Sequence, residues 1–239
     1  MVFEKFSSRE NDIVTGIIQR MENKNVYIDL GKAEAILTPN EQIPGEIYQY
    51  HDRMKTYIVE VKKTSKGPQI MVSRTHPGLL KRLFELEVPE IHDGLVEIKS
   101  VAREPGMRSK ISVYTKDENI DPVGACVGHK GMRVQTIVNE LRGEKIDIVK
   151  YSSEPDQYVA NALSPAKVVS TEVLEEEKIC RVIVPDYQLS LAIGKEGQNA
   201  RLAAKLTGWK IDIKSESQAA EEAEQGAQEV GVAYEADED

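Results

Sequence analysis

The strongest constraint on this chain is an internal duplication. Gly128-His129-Lys130-Gly131 returns as Gly194-Lys195-Glu196-Gly197, 66 residues later. Its surroundings return with it: Leu141-Arg142-Gly143-Glu144-Lys145-Ile146-Asp147-Ile148 matches Leu206-Thr207-Gly208-Trp209-Lys210-Ile211-Asp212-Ile213 at an offset of 65. A repeat of this length marks two copies of one supersecondary unit, so any motif inside it has to be read in the context of that unit.

Apolar periodicity gives the unit's element order. In the first copy, PGLLKRLFELEVPEI has helical spacing, VEIKSVARE and SKISVYTKD are strands about a Pro105-Gly106 turn, and Asp121-Pro122 opens a short helix that stops at Gly128. MRVQTIVNEL is a second helix ended by Gly143, and KIDIVKY is a last strand. The second copy runs the same way through PDQYVANAL, AKVVSTEVL, KICRVIVP, YQLSLAI, QNARLAAKL and WKIDIK. The order αββααβ with a GxxG loop between two helices is that of a type II KH fold, predicted over 76–151 and again over 152–214. Only Tyr151 to Glu154 separates the copies, which favours one continuous RNA track.

In that setting two glycines let the backbone approach a sugar-phosphate strand, and the following helix directs its N-terminal amides at the loop. The candidate RNA-binding residues are Gly128, His129, Lys130, Gly131 and Arg133 in the first copy. In the second they are Gly194, Lys195, Glu196, Gly197, Gln198, Asn199 and Arg201. Lys130, Arg133, Lys195 and Arg201 supply positive charge, and His129 offers a donor or a stacking plane. Gln198 and Asn199 are expected to read base or sugar edges, while Glu196 has to face away from phosphate. Asp147 and Asp212 lie in separate repeats and do not form a carboxylate pair.

Ahead of the repeat, 8–75 reads as five short strands: DIVTGIIQRM, NVYIDL, AEAILT, TYIVEVKK and PQIMVSR. Five strands with polar links predict an all-β OB-type barrel. Val26, Ile28 and Leu30 share one face of their strand, leaving Tyr27 on the other, where it either stacks a base or packs on the barrel.

The formal charge of −9 argues against nucleic acid only until it is located. The last 25 residues, 215–239, carry nine acids and no Lys or Arg, so the body has 31 acidic and 31 basic residues. Rich in Glu, Gln and Ala, this tail is predicted to be a disordered end. Cys126 and Cys180 lie in apolar stretches without neighbours at ligand spacing, so both are expected to be small buried residues, with no metal and no cofactor. No apolar run or leader segment points to a membrane or to export, and a cytoplasmic location is expected. No Walker loop, metal carboxylate cluster or activated nucleophile can be placed, which leaves a binding protein rather than an enzyme.

The long segments SRTHPGLLKRLFELEVPEI, VAREPGMRSKISV, DPVGACVGHKGMRVQTIVNELRGEKIDIV, NALSPAKV and QLSLAIGKEGQNARLAAKLTGWKIDI resemble the S1-KH-KH region of the NusA family of bacterial transcription elongation, termination and antitermination factors. The resemblance spans roughly 8–214. It implies a factor that contacts nascent single-stranded RNA, works with RNA polymerase and other antitermination factors, and modulates pausing, termination and antitermination. The family's N-terminal polymerase-binding domain has no counterpart here, so a fragment is expected, one that uses Tyr27 or the basic stretch Arg103 to Lys110 if it holds polymerase by itself. The tail resembles the short acidic ends of members without C-terminal acidic repeats. An S1/KH subunit of an RNA-processing or degradation assembly is the alternative, although a single KH copy would be expected there.

Overall fold

In NVYID the side chains alternate between buried and partly exposed, and the five strands of this kind close on themselves. The structure, a computed structural model, describes residues 2–236. A short helix α1 (Val2–Ser7) precedes β1 (Ile13–Glu22), β2 (Asn25–Asp29), β3 (Glu34–Leu37), β4 (Arg53–Thr64) and β5 (Gly67–Ser73). The strands form a closed barrel in the order β1-β2-β3-β5-β4, antiparallel except for β3 with β5. Asn23 and Lys24, both at positive φ, make the tight link between β1 and β2. Val14, Ile18, Val26, Ile28, Leu37, Met54, Ile58, Ile70 and Val72 fill the interior, and Phe6 of α1 closes one end. The barrel core therefore takes in a residue of the short helix that precedes β1.

The first αββααβ copy consists of α2 (Pro77–Glu87), α3 (Pro89–His92), β6 (Glu97–Glu104), β7 (Arg108–Tyr114), α4 (Pro122–Val127), α5 (Met132–Glu140) and β8 (Lys145–Lys150). Its sheet has the order β6-β7-β8. Pro89 divides the long helical pattern into α2 and α3, because it has no amide to continue the ladder. Leu79, Leu80, Leu83 and Phe84 of α2 meet Ile111 and Val113 of β7, Cys126 of α4 and Ile137 of α5 in one core. Ile43 and Tyr57 of the barrel belong to that same core, and the Tyr57 ring stacks on His76 with centroids 4.4 Å apart. Barrel and first KH copy thus form one compact unit up to Ile148, and residues from Val149 onward form a second.

The second unit has α6 (Pro155–Ala162), β9 (Ser170–Leu174), β10 (Ile179–Val184), α7 (Leu189–Ile193), α8 (Gln198–Thr207) and β11 (Lys210–Ser215). Its sheet order is β11-β10-β9, with β10 parallel to β11 and antiparallel to β9. Cys180, Val182 and Val184 of β10 are buried, as are Ala192, Leu202, Ala203 and Leu206 of the helices.

The tail departs from the disordered end read from its composition. Helix α9 (Glu216–Ala236) follows β11 directly. Ala, Glu and Gln are strong helix formers, and the first turn is tied down. Ser217 donates from its amide to Asp186 Oδ1 at 3.0 Å and from its hydroxyl to Asp186 Oδ2. Gln218 Oε1 accepts from the Ser215 amide at 3.0 Å, and Lys214 pairs with Glu222. Residues 237–239 lie outside the described residues. Among the described residues no helix is long and apolar enough to cross a membrane, and no group of three His, Cys, Asp or Glu side chains is placed to hold a metal ion.

Candidate nucleic-acid interface

Both GxxG segments form the same turn. Gly128 has φ 78° and ψ 174°, Lys130 φ 52°, and Gly131 φ 73° and ψ 14°. Gly194, Glu196 and Gly197 repeat those angles at 81° and 169°, 55°, and 75° and 12°. The two glycines of each loop are needed for different reasons. The first occupies a region of backbone space that is essentially closed to other residues, and a Cβ there would lie 2.6 Å from Arg133 Cγ in one copy and 2.7 Å from the Asn199 amide in the other. The second is left-handed but faces open space: a Cβ on Gly131 meets nothing within 4 Å, and one on Gly197 only Arg201 Nη1 at 3.9 Å. Gly131 and Gly197 also stand as N-caps of α5 and α8, and neither helix has a side-chain cap over its first amides. An anion approaching the loop meets no Cβ there, and the Met132 and Gln198 amides are already taken by His129 O and Lys195 O.

His129, Lys130, Lys195 and Glu196 are exposed on these turns, as a phosphate-facing loop requires. Arg133 and Asn199 are placed differently. They are equivalent positions of the repeat, and each ties down the short helix ahead of its loop. Arg133 Nη1 donates to Ala125 O at 2.7 Å and to Glu90 Oε2 at 2.9 Å. Asn199, 1% exposed, donates from Nδ2 to Ala192 O and Leu163 O, each at 3.0 Å. Asn199 was expected to read RNA edges, but its amide is turned into the core. Arg201 donates to Glu196 O at 2.9 Å and so braces the second loop from the exposed side of α8. Gln198 is half-buried, with Nε2 enclosed and without a hydrogen-bond partner.

On the barrel, Tyr27 is half-buried and already has a cation on one face: the Arg20 guanidinium lies 4.1 Å from its ring centroid. Arg20 is in turn held by Glu34 at 2.9 Å and Glu22 at 3.2 Å. Around this pair lies a groove of about 590 Å³ lined by Lys32, Ile36, Lys66 and Gln69.

The stretch from Arg103 to Lys110, expected to be an exposed basic surface, is instead consumed internally. Arg103 forks onto Glu144 with both side chains fully buried. Arg108 Nε and Lys110 Nζ reach Asp147 Oδ2 at 2.7 and 2.9 Å. Burial alone raises the Asp147 carboxyl, but the Arg108 hydrogen bonds and the Lys110 charge outweigh it and hold the group below its ordinary value. Cys126 is buried and its thiol is pushed up to about 12, chiefly by desolvation, which leaves it inert.

Sequence reasoning passed over three exposed apolar residues next to the second loop: Tyr187, on the turn Asp186–Gln188, and Leu191 and Ile193, which lie two apart on α7 and point to different sides of it.

Comparison with known proteins agrees with this architecture. The S1 RNA binding domain matches residues 7–73, the NusA-like first KH domain 74–151 and the NusA-like second KH domain 155–221. The transcription termination/antitermination protein NusA of Halalkalibacterium halodurans is 70% identical over 221 residues, covering 92% of this chain and 58% of that protein. Its Bacillus subtilis counterpart is also 70% identical, with 92% and 60% covered. The Thermus thermophilus protein is 49% identical over 211 residues, with 88% and 54% covered. The chain thus spans somewhat over half the length of these relatives. With the three modules matched in order and this identity across nearly all of its residues, the chain belongs to the NusA family and carries that family's S1-KH-KH portion.

Proposed function

We propose that this chain binds nascent single-stranded RNA through its two GxxG loops and the Tyr27 face of the barrel, and that it serves transcription termination and antitermination alongside RNA polymerase and other antitermination factors. The role is one of binding, not catalysis, and belongs in the cytoplasm. The observation that carries the reading is the identity of the two loops: each holds a left-handed second glycine with open space over it at the uncapped start of a helix. A sterically open turn at a helix N-terminus suits a phosphate, and His129, Lys130 and Lys195 add donors and charge around it.

The test is RNA binding by a double variant of the first loop. Changing His129 and Lys130 to Asp places repulsion beside phosphate and weakens binding to an unstructured RNA by about 1 to 3 kcal/mol. Unchanged affinity would remove the first loop from the interface. Full-length relatives supply the comparison for regulation. If RNA contacts act only when tethered to polymerase, where the effective concentration is often near millimolar, this chain alone binds RNA but hardly alters pausing.

A further inference from the structure

Strand β1 carries a bulge at Gln19. Ile18 pairs with Ile28, but the next pair in the ladder is Arg20 with Tyr27, so Gln19 is the extra residue. In an unbroken ladder Gln19 would stand opposite Tyr27; the bulge puts a guanidinium there instead. That guanidinium lies 4.1 Å from the Tyr27 ring centroid, and its two terminal nitrogens donate to Glu34 at 2.9 Å and to Glu22 at 3.2 Å. Across the other ladder Tyr27 pairs with Ile36 of β3. The ring is therefore flanked by an apolar residue on one strand and by a cation on the other.

The ties on Arg20 are individually weak. The side chains of Arg20, Glu34 and Glu22 are 50%, 35% and 58% exposed, and ion pairs and cation–π contacts at such exposed sites are each worth little. They hold Arg20 over the ring in the free chain without locking it there. The groove beside the ring is lined by Lys32 and Lys66, both exposed, which draw a polyanion in. A guanidinium grips phosphate with the same fork that it offers a carboxylate. An aromatic ring, in turn, stacks a base as readily as it stacks a guanidinium.

We propose that Arg20 is an exchangeable cover of the barrel's stacking site: a base of single-stranded RNA displaces the guanidinium from Tyr27, and Arg20 passes from Glu34 and Glu22 to the phosphate of that nucleotide. This rests on the RNA-binding reading above and adds to it a contact residue and an order of events. The exchange needs both parts of a nucleotide. A base without an anion gives the displaced guanidinium nothing in return for its carboxylates, and a phosphate without a base leaves the ring with nothing to stack. The bulge thus makes the barrel selective for a strand that carries both.

The experiment uses the whole chain with isotope-labelled arginine, a short unstructured oligoadenylate and an abasic RNA of the same length. In the free chain the Tyr27 ring shifts the Arg20 δ-methylene protons upfield, and Tyr27→Ala removes that shift. Saturating oligoadenylate also removes it, whereas abasic RNA leaves it in place. Glu34→Gln, which loosens the cover, tightens oligoadenylate binding about two- to fivefold, with a smaller gain on abasic RNA. Arg20→Gln uncovers the ring but gives up the phosphate, and lowers the slope of log affinity against log salt by roughly one unit. The inference is overturned if the shift is absent from the free chain or persists at saturating oligoadenylate. It is also overturned if Glu34→Gln tightens both RNAs equally, because only the lost carboxylate charge is then at work. The RNA-binding reading survives those results as long as the His129→Asp, Lys130→Asp double variant loses affinity. If the double variant and Tyr27→Ala both bind oligoadenylate as the parent does, the reading falls and the inference falls with it.

Discussion

Arg74 and Glu46 form a two-pronged ion pair from which water is excluded: Nε meets Oε1 at 3.0 Å and Nη2 meets Oε2 at 2.8 Å, with the side chains 0% and 2% exposed. Arg74 ends the barrel, yet its remaining donors reach Lys55 O at 2.8 Å, Glu140 Oε1 at 3.1 Å and Glu140 O at 3.1 Å. Glu140 lies on α5 of the first KH copy and also accepts from the Lys55 amide. One guanidinium thus binds barrel strand, barrel loop and KH helix together.

Replacing Arg74 with Ala leaves the buried Glu46 carboxylate without its cation, and we expect a loss of about 3 to 5 kcal/mol in chemical denaturation. Arg74→Lys is also costly, because one ammonium cannot serve acceptors placed for a planar fork. A change below about 1 kcal/mol for Arg74→Ala would show that the cluster relaxes without it.

The two glycines of the first loop are expected to respond differently to the same replacement. Gly131→Asn keeps a left-handed conformation that Asn tolerates and enters open space, so it costs about 1 kcal/mol of stability. Gly128→Asn combines backbone angles that are nearly closed to other residues with a collision against the Arg133 stem, and it costs more, by about 1 to 3 kcal/mol. Thermal melts of the two variants check the order, and equal melting temperatures would refute it.

Acid sensitivity follows from Asp147. Its folded value is depressed below the unfolded one, about 3.9, so the stabilisation it provides is fully present above that pH and is lost as pH falls through the folded value. Denaturation midpoints of the parent should fall steeply below about pH 4. Asp147→Asn, which is less stable at neutral pH, should show a flatter decline. Parallel profiles for the two proteins would assign the acid transition to other carboxylates.

The acidic helix offers a charge-based test. Removing 220–239 takes away eight of the nine acids of the tail and leaves Ser217 on Asp186. If the tail competes with RNA for basic surfaces, this truncation tightens RNA binding at low salt and has little effect at high salt. Identical low-salt affinities would dismiss the competition.

Much of this molecule was visible as local pattern. The barrel strands, the repeat and both glycine loops depend on periods of two or 3.6 and on turn residues close in sequence. What escaped depends on partners distant in sequence. Arg103 looks like a surface cation until Glu144, 41 residues away, is folded against it. Asn199 looks like an edge reader until Leu163 O, 36 residues earlier, takes its amide. The tail was judged on its lack of large apolar residues, which rules out an independent core but not a helix started by Asp186. Tyr187 was missed for another reason: an aromatic beside a helix suggests burial, and only in the folded chain is its side chain seen to stand 79% exposed.

The closure of the barrel through its parallel β3-β5 pair also limits how the S1 module can be recognised. Each barrel strand is paired on both sides over part of its length, so among the described residues no barrel strand offers a complete free edge for an extended peptide to join. The KH sheets are open, and their outermost strands, β6 and β8 in one and β9 and β11 in the other, are where backbone-to-backbone recruitment of another chain has room to begin.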